Sequence, residues 1–188
     1  MSDQEAREPK TVIRSIRIPE SLSRSIQKEA DKEGTTFNAR VSAILSRHFE
    51  WEVKAQEFGY ISIPKAQFRL LLEEIGDEAL VKFGREIVPG EWRETAEFWF
   101  GDSSTEAVLD YFKLRARNNS PHFTMKSEGG GGTVITVRHD FGPRWSIVLK
   151  SAFQEFVKQA YHVEPQVSSG ESVVTVRFKV ASQNQHYY

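Results

Sequence analysis

The chain predicts an α+β fold assembled in two parts. Three stretches carry the prediction. The N-terminal quarter holds a short alternating run followed by two amphipathic helical patterns separated by a glycine. The middle repeats helical spacing between glycine and proline breaks. The C-terminal third alternates β-branched residues on both sides of a single long amphipathic pattern, in the order β-β-α-β-β. An antiparallel sheet backed by helices is the simplest architecture for that order.

The first element spans Val12 to Ile18. Side chains alternate across a strand, so Val12, Ile16 and Ile18 share one face, interrupted by Arg14. Ile13, Ser15 and Arg17 share the other. Pro19 ends the run. Ser21 then opens a helical pattern with Leu22, Ile26 and Ala30 spaced four apart, and Gly34 stops it. Thr35 and Thr36 cap a second helix with Phe37, Val41, Ile44, Leu45 and Phe49 on one face. One strand and two helices of this length bury too little apolar surface to fold alone. Two copies solve that problem by pairing their strands as an antiparallel ribbon with four helices behind.

Strand, Pro-x-Ser helix entry, glycine turn and polar cap of a second helix follow one another between Thr11 and Trp51. That order resembles the ribbon-helix-helix DNA-binding family. The resemblance implies a swapped homodimer whose two-stranded ribbon enters the major groove, where base edges are distinguishable. It implies base reading by Ile13, Ser15 and Arg17. Arg17 is the strongest reader, since a guanidinium pairs with guanine O6 and N7. Ile13 departs from the polar residue usual at its position. The resemblance also implies a DNA phosphate seated on Thr35, Thr36, Phe37 and Asn38, at the positive end of the second helix. Its partner would be a double-stranded operator, pseudo-palindromic to match a two-fold protein.

The remaining elements follow in order. Residues 1–10 are expected to be a flexible tail, and the DNA-binding domain to run over 11–54. A helical connector is expected over 55–118. Its first helix follows Ser62 or Ile63, with Pro64 near the first turn and Phe68, Leu71, Leu72 and Ile75 inward. A second follows Asp77, with Leu80, Val81, Phe83 and Ile87 inward, and Pro89-Gly90 stops it. Thr95 to Phe100 reads as a strand or the end of a turn. Asp102-Ser103-Ser104 is a cap signal for a helix over Thr105 to Arg117. A β-β-α-β-β region for regulation or oligomerisation is expected over 119–181. Its strands are His122 to Lys126, Thr133 to Val137, Val163 to Val167 and Ser172 to Val180, and its helix is Trp145 to Tyr161. The run Gly129 to Gly132 reads as a hairpin turn, since it lacks the Gly-Lys-Ser/Thr ending of a phosphate loop. Residues 182–188 are expected to be a loose tail.

Composition narrows the function classes. The chain has 188 residues, no cysteine and a formal net charge of −1. It has no apolar run long enough to span a bilayer and no apolar leader, so a cytoplasmic, nucleoid-associated protein is expected. Lys10 to His48 holds eight basic residues against four acidic ones, a net of +4. That is a modest electrostatic footprint for salt-sensitive DNA binding. No hydrolase or metalloprotease motif is present, so no catalytic residue, metal ligand or cofactor is expected. The cluster His139, Arg144 and Trp145 reads either as the rim of a ligand pocket or as a capped helix start. The chain is therefore expected to be a DNA-binding transcriptional regulator. Its C-terminal part either pairs dimers into a higher oligomer or senses a small-molecule effector, and both stay open. The rival expectation is an antitoxin whose C-terminal part clamps a partner protein.

Overall fold

The computed structural model describes residues 11–118, 122–129 and 131–179. The tails expected at 1–10 and 182–188, the loop centre at 119–121 and Gly130 of the glycine run lie outside these residues. The chain divides into two compact units, one ending at Ser46 and the other beginning at Arg47. Among the described residues no helix is long and apolar enough to cross a membrane.

The described part of the first unit consists of residues 11–19, helix α1 (Glu20–Glu33) and most of helix α2 (Phe37–Arg47). Gly34 closes α1 in the left-handed region at φ 64°. The Thr35 N–H reaches back 2.9 Å to the Ala30 carbonyl, the bond that terminates a helix through such a glycine. Thr36 caps α2, its Oγ1 accepting the Ala39 N–H at 3.2 Å. Arg40 ties the helices together. Its guanidinium donates to Glu29 at 2.6 and 2.9 Å and to Glu33 at 3.3 Å. The Glu29 bond, more than any other influence, raises the Arg40 pKa. Residues 11–19 form no regular element in the single chain, so the strand expected over Val12 to Ile18 is not present there. A strand exists only through hydrogen bonds to a neighbour, and a single chain supplies none here.

The second unit opens with a π-helical turn, His48–Glu52, and helix α3 (Val53–Phe58). Helices α4 (Lys65–Glu73), α5 (Asp77–Glu86), α6 (Val88–Phe100) and α7 (Thr105–Asn118) follow. Strands β1 (His122–Glu128) and β2 (Gly132–Arg138) form a hairpin. Helix α8 (Pro143–Tyr161) then leads to β3 (Gln166–Ser169) and β4 (Val173–Lys179). The sheet is antiparallel throughout, in the order β1-β2-β4-β3. Ile135 and Val137 of β2 and Val174, Val176 and Phe178 of β4 face the core. Val148, Ala152, Phe153, Phe156 and Val157 of α8 are buried in the same cluster.

Four expectations change here. The middle of the chain is no connector, because its helices supply half of the core. Trp92 of α6 stands 4.8 Å from Phe112 of α7 and 4.8 Å from Phe153 of α8. The expected boundary near Ala55 also moves. Trp51 and Ala55 are buried with the second unit, and Trp51 packs 5.4 Å from Trp99. The stretch read as strand or turn at Thr95 to Phe100 is the second half of α6. Pro89 sits in the first helical turn, where a missing N–H costs nothing. Finally, β3 begins three residues later than expected. His162 takes a left-handed φ of 55°, Glu164 is tied back to Gln154 of α8 at 3.0 Å, and Pro165 has no N–H to give a ladder.

Two helix faces differ in detail. On α5 the buried positions are Leu80 and Gly84, while Phe83 and Ile87 stay exposed. On α4 Leu72 is buried, and Leu71 and Ile75 are exposed. The cap read at Asp102 to Ser104 is present as expected. Asp102 accepts the Ser104 N–H at 2.9 Å and its hydroxyl at 2.6 Å, and Ser104 Oγ accepts the Ala107 N–H at 3.2 Å. These bonds hold the Asp102 carboxyl below its ordinary pKa, the Ser104 hydroxyl contributing most.

Candidate functional site

The residues singled out in the first unit are accessible. Ile13, Ser15 and Arg17 are exposed, Ile13 to 95 %. Val12 and Ile16 on the opposite side of the run are also exposed, at 74 % and 67 %. At the α2 corner, one expected phosphate donor is already used, since the Thr35 N–H belongs to the Ala30 carbonyl. Phe37 and Asn38 lie in the first turn of α2, where backbone donors have no intrahelical acceptor. Leu22, Ile44 and Leu45 leave apolar surface open on both helices. Among the described residues of this unit, Ala30 alone is buried.

The expected pocket rim at His139, Arg144 and Trp145 is not one pocket. His139 is buried, and its Nδ1 accepts the Phe141 N–H at 3.3 Å. Its Nε2 therefore carries the proton and donates to Ser146 Oγ at 2.9 Å. Ser146 in turn donates to the Gly170 carbonyl at 2.6 Å. Burial, ahead of the Asp140 and Arg69 charges, lowers the His139 pKa, so the ring is a neutral brace between the end of β2, α8 and the β3–β4 turn. Arg144 is fully engaged elsewhere. Its Nε donates to the Leu72 carbonyl at 2.9 Å, one Nη to Asp77 at 2.7 Å and the other to the Ile75 carbonyl. It clasps the α4–α5 turn to the start of α8. Beside it, Asp140 receives Lys65, and Arg69 donates to the Asp140 carbonyl. The Lys65 bond is the main reason the Asp140 carboxyl titrates low. The alternative reading of this corner, a helix start, is the correct one, with Gly142 at the N-cap and Pro143 at the first position.

Trp145 lines a cavity that includes neither of the other two, placed among α6, α7, α8 and the β1–β2 hairpin. Its volume is about 160 Å³. Trp92, Phe112, Phe123, Trp145 and Phe153 form its aromatic wall, and Glu91 and Arg115 are its charged members. Burial, tempered by the nearby Arg115 charge, raises the Glu91 pKa. Arg115 is partly buried, with one Nη 3.5 Å from the Tyr111 hydroxyl, the outer limit of a hydrogen bond. Tyr111 pairs with the Tyr60 hydroxyl at 2.6 Å, and burial above all pushes its phenol far up. Arg115 Nε is buried without a partner. Among the described residues no carboxylate stands within 4.0 Å of this guanidinium, the limit of an ion pair.

Sequence reading missed Glu91, Tyr111 and Arg115 as a group. A signal existed on α7. Val108, Tyr111, Phe112 and Arg115 recur at helical spacing, which places a charge on an apolar face. Among the described residues, no three acidic, histidine or cysteine side chains are grouped to hold a metal ion. Comparison with family models, curated proteins and solved structures returns no match for this chain.

Proposed function

We propose that this chain is a sequence-specific DNA-binding transcriptional regulator that works as a homodimer. In this reading the segment Val12 to Ile18 pairs with its counterpart in a second copy, and the resulting ribbon enters the major groove. One observation carries it. The first unit exposes Val12, Ile13, Ile16, Leu22, Ile44 and Leu45 and buries only Ala30 among its described residues. Such a unit lacks a core of its own, and a second copy is the partner whose pattern of apolar positions is complementary by symmetry. Exposed Arg17 and Ser15 support the base-reading assignment. The net charge of +4 over Lys10 to His48 supports attraction to a phosphate backbone. A second unit with its own sheet and core favours a regulator over an antitoxin clamp, which is a short segment ordered by its partner.

The test uses the full chain. Selected genomic fragments identify an operator, and anisotropy measures affinity at several salt concentrations. Arg17→Ala is expected to cost about 1–3 kcal/mol of specific binding and to leave sedimentation unchanged. Equal affinity of the variant across operator sequences refutes base reading by Arg17. Absence of any DNA fragment bound above background refutes the function.

A further inference from the structure

The cavity of the second unit combines two features that folding alone does not explain. Its wall is built from five aromatic side chains, and a guanidinium without a carboxylate partner borders it. Size sets the first limit on a ligand. A volume of about 160 Å³ matches an apolar cavity that takes up a single benzene ring. The wall sets the second, since Trp92, Phe112 and Phe153 line it and pack on one another with centroids 4.8 to 5.5 Å apart, a surface suited to a planar ring. Arg115 sets the sign. A buried N–H without an acceptor is rare in folded proteins, and a guanidinium takes a carboxylate through two parallel bonds. Among the described residues Glu91 is the only acidic side chain on the wall, and it stands beyond ion-pair reach of that guanidinium.

We propose that this cavity binds a one-ring aromatic carboxylate, with the ring against the aromatic wall and the carboxylate on Arg115. The site stands independently of DNA binding by the first unit.

Calorimetry on the full chain tests it with four probes: benzoate, benzamide, benzylamine and acetate. Benzoate is expected to bind with one site per chain and at least about tenfold more tightly than each of the others, the scale of one charge-assisted bond. Indole N–H signals locate the guest. Trp92 and Trp145 are expected to shift with benzoate while Trp51 and Trp99 stay in place. Benzylamine binding as tightly as benzoate overturns the proposal, because Glu91 then sets the sign. Acetate matching benzoate overturns it through the ring, and benzamide matching benzoate through the charge. No benzoate binding, or shifts at Trp51 and Trp99 alone, also overturns it. Arg115→Gln is expected to abolish the preference for benzoate over benzamide, and a folded variant that keeps the preference sinks the assignment. The four-probe series on the unaltered chain decides the question even where that variant does not fold.

Discussion

The backbone of α8 passes so close to Gly84 of α5 that a methyl group there would lie 2.4 Å from the Val148 carbonyl oxygen and 3.0 Å from Ser151 Cβ. The contact joins two helix backbones, so no side-chain rotation relieves it. Alanine is otherwise the better helix former by about 1 kcal/mol. Here the clash outweighs that preference. Gly84→Ala is expected to destabilise the second unit by about 1–3 kcal/mol, read as a lower midpoint in urea denaturation. An unchanged or raised midpoint contradicts so close a crossing.

Arg144 joins three acceptors: the Leu72 and Ile75 carbonyls and Asp77. Arg144→Met keeps the stem and removes the fork. It is expected to cost about 1.5–3 kcal/mol, the range for bonds to a charged group. Arg144→Lys is expected to restore little of this, since one ammonium cannot span three separated oxygens. Full recovery by lysine would show that charge, not geometry, holds the turn.

His139 makes stability depend on pH. Its pKa is lowered from the ordinary 6.5 in the folded state, chiefly by burial, with Asp140 opposing and Arg69 assisting. Both states are neutral above that value, so the stabilisation is complete there. As pH falls through 6.5 the unfolded chain binds the proton first, and stability drops by at most about 1.4 kcal/mol per pH unit. Glu91 acts oppositely, because its raised pKa favours the folded state at low pH, and its window begins at the carboxyl's ordinary 4.5. Asp140, held low mainly by Lys65, loses stabilisation only further down, through its ordinary 3.8. Urea midpoints between pH 8 and 5.5 should therefore slope in the wild type and flatten in His139→Gln. Equal slopes would remove His139 from the account.

The α1–α2 corner offers two local tests. Gly34 sits at φ 64° with open space around it, so Gly34→Ala adds no clash and only left-handed strain, about 1–2 kcal/mol. Thr36→Ala removes the cap on the Ala39 N–H and is expected to cost about 1 kcal/mol. Each should lower the helical melting temperature measured by circular dichroism.

Ile16 tests self-association. It is 67 % exposed in the single chain, so Ile16→Glu has no reason to weaken the second unit. In a paired ribbon the same charge would be buried and unmatched. Sedimentation is expected to show a smaller species for the variant, with urea unfolding of the second unit unchanged. Identical sedimentation of variant and wild type would argue against the ribbon.

Much of the architecture was legible in the sequence because its signals are local. The Asp102 to Ser104 cap, the long amphipathic α8 and the alternation in β2 and β4 each depend on neighbours a few positions away. The glycine stop at Gly34 is local in the same sense. Other features needed the folded chain. Pro89-Gly90 looks like a stop alone, yet it opens α6, whose Trp92, Ala96 and Trp99 reach the core. Trp51 looks like the end of one unit until Trp99 and Tyr111 enclose it. Arg144 and His139 resemble pocket anchors until their partners, Leu72, Asp77, Ser146 and Gly170, arrive from distant segments.

By itself, then, the sequence determined the caps, the glycine stop and the long helix and paired strands of the C-terminal third, and that the N-terminal segment carries more apolar surface than it can bury alone. Period and capping act over a few residues, so they are written in the order of the chain. Tertiary structure alone decided that Glu91 of α6 and Arg115 of α7 would border one cavity. That meeting depends on how two helices cross over a sheet, a relation held by side-chain volume and close packing.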